Sequence, residues 1–512
     1  MTVRVTTAAQ AAAMDERAIQ AGTASYDLMR TAAARSVDVM RARLGSELLR
    51  GVAVFVGAGN NGGDGYLVAA DLAAAGYTVR VVACGDPRSD DAQRAAREMP
   101  ANILVEHSPL GVADAEAPGV IVDALLGTGA RGEPRDEVKD AILVVNALRG
   151  RGARVVSLDV PSGLDATTGA APGACVRADL TVTFGSVKRG LLRDRDATGA
   201  IVAVEIGLGA ASDEPTAPAL IGSAQALGKS PRIPADANKG TRRRLLIVGG
   251  ASGMAGAAIL AARGALRSGI GMVKVCVEQP SVAPLQAAVP AALTTVWPAD
   301  DTQLKEQLMW AHCVLLGPGL GLGTASRDLA VRVLTQWRGP VVVDADALTA
   351  FEGNTARLGE LLAGRPAVIT PHAVEAQRLA GVAAADLDAG RFEAADRLAD
   401  RVQATVLLKG VPTVISNGTV TQVVATGTPV LATGGSGDVL GGIVATLLAQ
   451  TGDPLASASS AAWVHGRAAE IAGAGAVRGV VLDDVVDALR YAWVPPAQLP
   501  RGVIADLAAA TT

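Results

Sequence analysis

The sequence predicts an α/β protein in two domains, each built on a mostly parallel sheet crossed by helices. Three observations lead there. Short β-branched runs alternate with Ala-rich stretches of helical length along the chain, the pattern of βαβ units. The chain has 512 residues, too many for one ordinary domain of roughly 150. Glycine-rich turns, drawn from 59 glycines in all, recur where the β-branched runs end.

The first strand is GVAVFVG (51–57), followed by a glycine-rich turn and the helix YLVAADLAAAG. TVRVVAC, VIVDALLG, RVVSLDV, ADLTVTFG and IVAVEIGLG continue the pattern to about residue 209. Composition then shifts: Pro215, Pro218, Pro231 and Pro234 fall in a stretch with no strand pattern, which predicts a linker over 210–235. RLLIVGG (244–250) opens a second series through MVKVCVE, CVLLGPG, PVVVDADAL, AVITPH, TVLLKG and TVISNG. The expected domains are therefore 1–209 and 236–512. No repeat of 20–50 residues points to a solenoid.

Composition narrows the function. Hydrophobic residues make up 50% of the chain but aromatics only 3%, so Ala, Val and Leu must build the cores. Lys and Arg number 46 against 50 Asp and Glu, for a net charge of −4, which argues against a broad nucleic-acid-binding face. No apolar run reaches the ~18–20 residues that span a bilayer. Acidic residues interrupt MTVRVTTAAQAAAMDERAIQ where a secretory signal would stay apolar. Cys84, Cys175, Cys276 and Cys313 form no CxxC pair, which argues against a disulfide or zinc scaffold. The expectation is a soluble cytoplasmic protein acting on small molecules, with no membrane or nucleic-acid partner.

Between the first strand and its helix lies Gly57-Ala-Gly-Asn60-Asn61-Gly62-Gly63-Asp64-Gly65. Glycines let backbone N–H groups approach an anion, and a helix start adds partial positive charge. The Asn and Asp oxygens suit a hard cation or a ribose better than a bare pyrophosphate; a capped tight turn is the plainer alternative. Asp123 and Asp159 each end a later strand, with Gly127 and Gly129 after the first and Ser162 and Gly163 after the second. Ligands of open α/β sheets lie outside the carboxyl ends of the strands, so these three loops are expected to face one crevice. Each acid taken alone is equally a helix cap.

GAGNNGGDGY, VDALLGTG, LDVPSGLDATTG and DLTVTFGSVKRGLL, with the upstream MDERAIQAGTASYDLMRTA, resemble the YjeF N-terminal family of NAD(P)HX epimerases over roughly 1–209. The resemblance implies a Rossmann-like doubly wound sheet and a potassium site from Asn61, Asp123 and Ser162. It implies substrate contacts from Asn60, Asn61, Gly62, Gly63 and Asp64, and from Gly127, Thr128, Gly129, Ala130, Arg131, Gly132 and Glu133. Asp159 is expected both to contact substrate and to handle protons at the epimerised carbon, since a carboxylate serves both directions. One departure is Ala32-Ala33-Ala34, where the family often has an Ala-Gly pair.

The second half carries ATGGSGDVLGG (432–442) ahead of a helical run. Gly434, Gly435 and Gly437 would expose amides as an anion hole, and Asp438 falls in the first turn, as a base or as a dipole-complementing cap. Lys409 and Thr413 end another strand with a cation and a hydroxyl. His372, one of four histidines, is on its own more readily a structural residue than a functional one. NKGTRRRLLIVGGASGMAGAAILAARGALRSGIGMVKV, LLGPGLG, VVVDADAL, ITPHAVEAQRL, LLKGVPTVI and ATGGSGDVLGGI resemble the ribokinase-like, ADP- or ATP-dependent NAD(P)HX dehydratases over about 236–495. The resemblance implies substrate contacts from Ala257, Gly319, His372 and Asp438. It implies nucleotide contacts from Lys409, Gly410, Val411, Pro412, Thr413, Gly434, Gly435, Ser436 and Gly437. The family usually shows His-Pro-Gly-Glu where this chain has His372-Ala373-Val374-Glu375.

Together the halves predict repair of hydrated nicotinamide cofactors. The first would interconvert the R and S epimers of NADHX and NADPHX. The second would dehydrate the S form with ADP or ATP and magnesium, using Asp159 and Asp438 respectively as catalytic acids or bases. A homo-oligomer is expected. The alternative is a ribokinase-like vitamin kinase with a nucleotide-sensing N-terminal module, which leaves Asn61, Asp123, Asp159 and Ser162 without a shared purpose.

Overall fold

The computed structural model describes residues 2–510 apart from 113–115, 382, 384–386 and 388–389. The chain divides into two compact units, Met1–Ala219 with Ala497–Thr512, and Leu220–Pro496.

The first unit holds an eight-stranded sheet in the order Val503–Leu507, Ala200–Val204, Leu180–Phe184, Arg154–Leu158, Val120–Ala124, Val52–Val56, Val79–Ala83, Leu104–Glu106. All neighbours pair parallel except Val503–Leu507, which runs antiparallel to Ala200–Val204. Val52–Val56 is buried along its whole length, as a strand covered on both faces by crossover helices must be. From it the chain winds to Val79–Ala83 and Leu104–Glu106, then crosses to Val120–Ala124 and winds the other way. The reversal opens a crevice between the carboxyl ends of Val52–Val56 and Val120–Ala124, where ligands of such sheets bind. Helix Ser25–Arg43 packs on helix Asn60–Ala74, and the buried Ala32 and Ala33 lie on its inner face.

The second unit holds a ten-stranded sheet with the same central logic. Arg244–Val248 is flanked by Met272–Val277 and Leu293–Val296 on one side, and by Cys313–Leu316, Val341–Val343, Ala367–Ile369 and Thr405–Leu408 on the other, all parallel. Thr413–Ser416 and Thr421–Val424 extend that side as antiparallel strands, and Ala219–Leu220 lies at its edge. Helices Ala255–Arg267, Ser436–Thr451 and Pro454–Gly473 cover one face with small residues and Leu, Ile and Val. The predicted α/β class, with two mainly parallel sheets, is the observed one.

Two expected boundaries differ. The stretch 210–235 is not a free linker. Its first part is tied to the N-terminus, where Val5 N donates to Pro218 O at 2.8 Å and Arg4 pairs with Asp213. Its second part belongs to the second unit, where Ile221 N donates to Val423 O at 2.9 Å and Ser223–Gly228 packs on helix Pro454–Gly473. Prolines fix an extended backbone without forbidding edge pairing, so proline spacing misplaced the boundary. The second domain also does not run to residue 512, because Val503–Leu507 covers the outer edge of the first domain's sheet.

Candidate active sites in the two domains

The crevice of the first unit is a cavity of 730 Å³. Asn60, Asn61, Asp64, Gly127, Thr128, Gly129, Ala130 and Asp159 all line it, so the three loops do face one space. Asn60 and Asn61 stand in the first turn of helix Asn60–Ala74, right after the Val52–Val56 strand. Gly62 and Gly63 are not part of the lining and are closely packed. A Cβ at Gly62 would lie 1.9 Å from Gly57 O, and one at Gly63 would lie 2.8 Å from the Met29 side chain. Arg131, Gly132 and Glu133 are exposed and stand outside the cavity lining. The Arg131 guanidinium folds back on Thr128 O and Ala130 O, and Glu133 lies 3.9 Å from Lys139.

Asp123, behind the lining residues Leu125 and Leu126, is wholly buried. Its Oδ1 accepts from Ser162 Oγ at 2.5 Å and Leu125 N at 3.3 Å, and its Oδ2 from Ser157 Oγ at 2.8 Å and Ser162 N at 2.9 Å. Burial pushes its pKa up while these hydrogen bonds oppose the shift. Asn61 Nδ2 donates to Leu126 O at 2.9 Å, whereas the buried Asn61 Oδ1 has no hydrogen-bond partner. Asn61, Asp123 and Ser162 are thus brought together around the Leu126 carbonyl, with one oxygen left over.

Asp159 sits just beyond strand Arg154–Leu158 with φ +64, a conformation that Asp tolerates better than most residues. Its N donates to Val182 O at 2.7 Å, fixing the turn. Oδ1 accepts from Lys188 Nζ at 2.5 Å, Thr183 Oγ1 at 3.2 Å and Phe184 N at 3.3 Å. The Lys188 side chain is 2% exposed and also donates to Thr183 Oγ1 at 3.1 Å and Phe184 O at 2.9 Å. Sequence reasoning gave Lys188 no role, although a lysine inside the apolar run TVTFGSVKRGLL was a usable signal. Two more carboxyls line the space, Asp64 and Asp15. Burial, then the charges of Asp159 and Asp15, hold Asp64 well above the usual carboxylate range. Burial raises Asp15 to about 6, with Lys188 opposing and Asp159 reinforcing. Asp15, on the helix before the first domain's main sheet, lies within the quoted upstream motif MDERAIQAGTASYDLMRTA but was given no role there.

In the second unit the glycine loops meet at the corresponding reversal. Gly250 N donates to Pro318 O at 2.9 Å and Ala251 N to Gly319 O at 2.7 Å. Gly319 has φ +58, and a Cβ there would lie 3.0 Å from that of Ala257, so these two predicted residues are neighbours. Helix Ser436–Thr451 begins after Gly435, whose φ is +91. Lys409 Nζ reaches its first turn, 3.3 Å from where a Cβ on Gly437 would be. Lys409 Nζ donates to Asp344 Oδ1 at 3.0 Å and lies 3.9 Å from Glu375 Oε2. Asp344 is buried and, like Lys188, lay unread within a quoted motif, VVVDADAL.

These charges set the protonation of the helix start. Burial, then Asp344, raise Asp438 to about 7, with Lys409 pulling the other way. Burial also raises Glu375, opposed by Lys409. Burial lowers the Lys409 pKa, but Asp344, Glu375 and Asp438 outweigh it and the net shift is upward. His465 is buried, with its pKa pulled down to about 4 by burial and then by Lys409. Its Nε2 is 3.5 Å from Ser436 Oγ; a neutral ring therefore backs the anion-type turn.

His372 caps helix Ala373–Ala380: Nδ1 accepts from Val374 N at 3.1 Å and Glu375 N at 3.3 Å, while Glu375 Oε2 accepts from His372 N at 2.8 Å. The altered Ala373-Val374 pair therefore leaves a complete capping box. Gly410 and Val411 are exposed, Pro412 is buried, and Thr413 Oγ1 donates to Gly410 O at 3.1 Å. Gly434 is exposed one residue before the helix cap.

Comparison with known proteins gives two family matches. The model for NAD(P)H-hydrate dehydratase matches residues 245–490, and that for the YjeF-related protein N-terminus matches residues 25–190. The bifunctional NAD(P)H-hydrate repair enzyme Nnr of Escherichia coli K12 is 35% identical over 476 residues, 92% of this chain and 90% of that one. The Hyperthermus butylicus protein of the same description is 34% identical over 97% of this chain and 94% of that one. A solved ADP/ATP-dependent NAD(P)H-hydrate dehydratase from Bacillus subtilis, co-crystallized with ATP and Mg2+, is 27% identical with a TM-score of 0.46. It covers 53% of this chain and 96% of its own.

Proposed function

The chain belongs to the family of bifunctional NAD(P)H-hydrate repair enzymes, and we propose that Asp159 and Asp438 are the catalytic groups of its two activities. The enzyme interconverts the R and S epimers of hydrated NADH and NADPH and dehydrates the S epimer to NAD(P)H with a nucleotide as co-substrate. The observation that carries the assignment of residues is a lysine held inside each domain near the aspartate: Lys188 at 2.5 Å from Asp159, and Lys409, paired with Asp344 and Glu375 and close enough to Asp438 to act on its charge.

In the hydrates the C6 hydroxyl shares its carbon with the ring nitrogen. Removal of the hydroxyl proton by Asp159 lets the C6–N1 bond open to an aldehyde, with the nitrogen taking a proton. Reclosure on the other face and return of the protons inverts the centre. The raised pKa values of Asp64 and Asp15 make these carboxyls suitable proton donors to the nitrogen. Lys188 fixes and charges the Asp159 side of the site. Asn60, Asn61 and the loop 127–130 bound the substrate space; Gly62, Gly63 and residues 131–133 support the loops that form it.

We read Asn61, Asp123 and Ser162, with the Leu126 carbonyl, as the potassium ligands. The unpartnered Asn61 Oδ1 beside one carboxylate and neutral oxygens is a donor set suited to a hard cation of low charge. A cation held by these residues would supply a fixed positive charge beside the cavity lining at Asn61.

In the second domain the C6 hydroxyl of the S hydrate takes a phosphoryl group, and loss of phosphate with a proton from C5 restores the double bond. Asp438 accepts the hydroxyl proton, and the amides of Gly434, Gly435, Ser436 and Gly437 face the phosphoryl oxygens. We assign the nucleotide, ADP or ATP, to Lys409, Gly410, Val411, Pro412 and Thr413, and the substrate to Ala257, Gly319, His372 and Asp438. Among the described residues no group of three His, Cys, Asp or Glu is arranged to hold a metal. Magnesium would therefore depend largely on nucleotide phosphates for its ligands, as that ion usually does. Among the described residues no helix is long and apolar enough to cross a membrane; a cytoplasmic homo-oligomer is our reading.

Purified S-NADHX with ADP or ATP and magnesium tests the second half. The expected result is one phosphate released for each NADH regained. A phosphorylated product without regained NADH absorbance would favour the vitamin-kinase alternative.

A further inference from the structure

We propose that Arg88 reads the 2′-phosphate of NADPHX in the epimerase cavity and biases that site towards NADPHX over NADHX. The inference rests on the epimerase reading and deepens it.

The strand order supplies the orientation. Taking Val52–Val56 as the first strand, the neighbours run third, second, first, fourth, fifth, sixth across Leu104–Glu106, Val79–Ala83, Val52–Val56, Val120–Ala124, Arg154–Leu158 and Leu180–Phe184. In sheets wound this way a dinucleotide lies across the reversal, and the loop after the second strand meets the adenosine ribose. An acid there holds the 2′-hydroxyl, and an arginine accommodates the 2′-phosphate. Asp159, after the fifth strand, marks the nicotinamide end. From there to the second strand is three strand spacings, about 14 Å at ~4.8 Å each. That distance is on the order of the span from the nicotinamide ring to the adenosine ribose in an extended dinucleotide.

The loop after the second strand is Cys84-Gly85-Asp86-Pro87-Arg88-Ser89. It is sewn to the glycine loop, with Cys84 N donating to Val56 O and Arg88 N to Ala58 O, each at 2.9 Å. Ser89 Oγ donates to Asn60 Oδ1 at 2.5 Å and accepts from Ala92 N at 3.2 Å. Arg88 is exposed and lines the same cavity as Asp159. Among the described residues its guanidinium has no hydrogen-bond or ion-pair partner.

A solvated surface arginine is the ordinary reading of such a side chain, and position separates the two. The backbone of Arg88 is fixed beside the glycine loop, where the dinucleotide's phosphates cross. The nearby acids are placed otherwise: Asp86 of the loop is not part of the cavity lining, and Asp91, which lines it from the following helix, accepts from Ser25 Oγ at 2.5 Å. A guanidinium facing a phosphate makes charge-assisted hydrogen bonds, each worth ~1.5–3 kcal/mol.

The test is the ratio of epimerase kcat/KM for NADPHX to that for NADHX in the full chain, for wild type, Arg88→Ala, Arg88→Lys and Asp86→Ala. The ratio is expected to fall roughly 10- to 100-fold in Arg88→Ala, the fold-change of one such interaction, and to fall less in Arg88→Lys. A ratio within twofold of wild type in Arg88→Ala overturns the proposal. So does a rise in the ratio confined to Asp86→Ala, which would assign ribose recognition to the acid. Calorimetric titration with NADP+ and NAD+ reads the same preference without turnover. NADP+ affinity should drop in Arg88→Ala by a similar factor relative to NAD+, and equal affinities in wild type would contradict the assignment. Discrimination can thus be lost or kept independently of whether the domain epimerises.

Discussion

The two domains solve one electrostatic problem in different ways. Both wind their sheets in the same order around a first strand, and both place the aspartate proposed as catalytic near a lysine. In the first, Lys188 is committed to a single carboxylate: its three donor contacts go to Asp159, Thr183 and the Phe184 carbonyl. The surrounding acids, Asp64 and Asp15, are left with raised pKa values. In the second, Lys409 is shared among Asp344, Glu375 and Asp438, and it is the proposed catalytic base, Asp438, whose pKa rises, to about 7. A lysine whose hydrogen bonds go to one carboxylate leaves two neighbouring carboxyls with raised pKa values, its charge opposing the rise in both. A shared one leaves the base poised near neutrality, ready for the extra charge of a nucleotide.

The largest expected effect breaks the comparison cleanly. Asp438→Asn should lower the dehydratase kcat ~1,000-fold, within the range for loss of a general base, with epimerase activity retained. Asp159→Asn should do the reverse, and separate assays of R and S hydrate will read both.

Lys188→Met probes the committed pair. Removing one member of a buried ion pair costs ~3–5 kcal/mol because a charge is left uncompensated, and the 2%-exposed Lys188 side chain fits that case. The variant should unfold at markedly lower denaturant concentration, and adding Asp159→Asn should recover part of the loss. Equal stability of the single and double variants would contradict the pairing.

The shared lysine makes a pH prediction. Asp438 works as a base only when ionised, so dehydratase kcat/KM should rise with pH through about 7. Asp344 raises that pKa, so Asp344→Asn should move the rising limb to lower pH. In the first domain the sign falls on stability. Asp64 has a raised folded-state pKa. Its stabilising contribution is complete below the unfolded value of ~4 and is lost as pH rises towards the folded value. Asp64→Asn should therefore raise Tm more at pH 8 than at pH 4.5.

The smallest effect concerns the cluster of Asn61, Asp123 and Ser162. Replacing potassium by tetramethylammonium should lower the Tm of the wild-type first domain's transition by a few degrees, as loss of a native-state ligand does. Asn61→Leu should abolish the difference between the two salts.

The legible and illegible parts of this chain follow from the same physics. Buried parallel strands such as VAVFV and VIVDA read as continuous apolar runs, and glycine turns mark their carboxyl ends, so both sheets and the crevice loops were visible. Edge strands were not: Leu104–Glu106 and Leu293–Val296 are short and partly exposed, with weak patterns. Val503–Leu507 pairs with a strand some 300 positions earlier, which local periodicity cannot reveal. Asp159, Asp123, Asn61 and Asp438 stood out in the sequence because they punctuate strand or helix ends. Lys188, Asp15 and Asp344 were passed over because their importance lies in what tertiary packing sets beside them.

The most direct test mixes R and S hydrate of NADH with magnesium, potassium and ADP or ATP, and follows the return of reduced-nicotinamide absorbance. The wild type should recover the whole mixture at a rate well above spontaneous epimerisation. Asp159→Asn should stop at the S portion, and adding Asp438→Asn protein to it should restore complete recovery, since each variant keeps the activity the other lacks. Complete, equally fast recovery by Asp159→Asn alone would contradict the account.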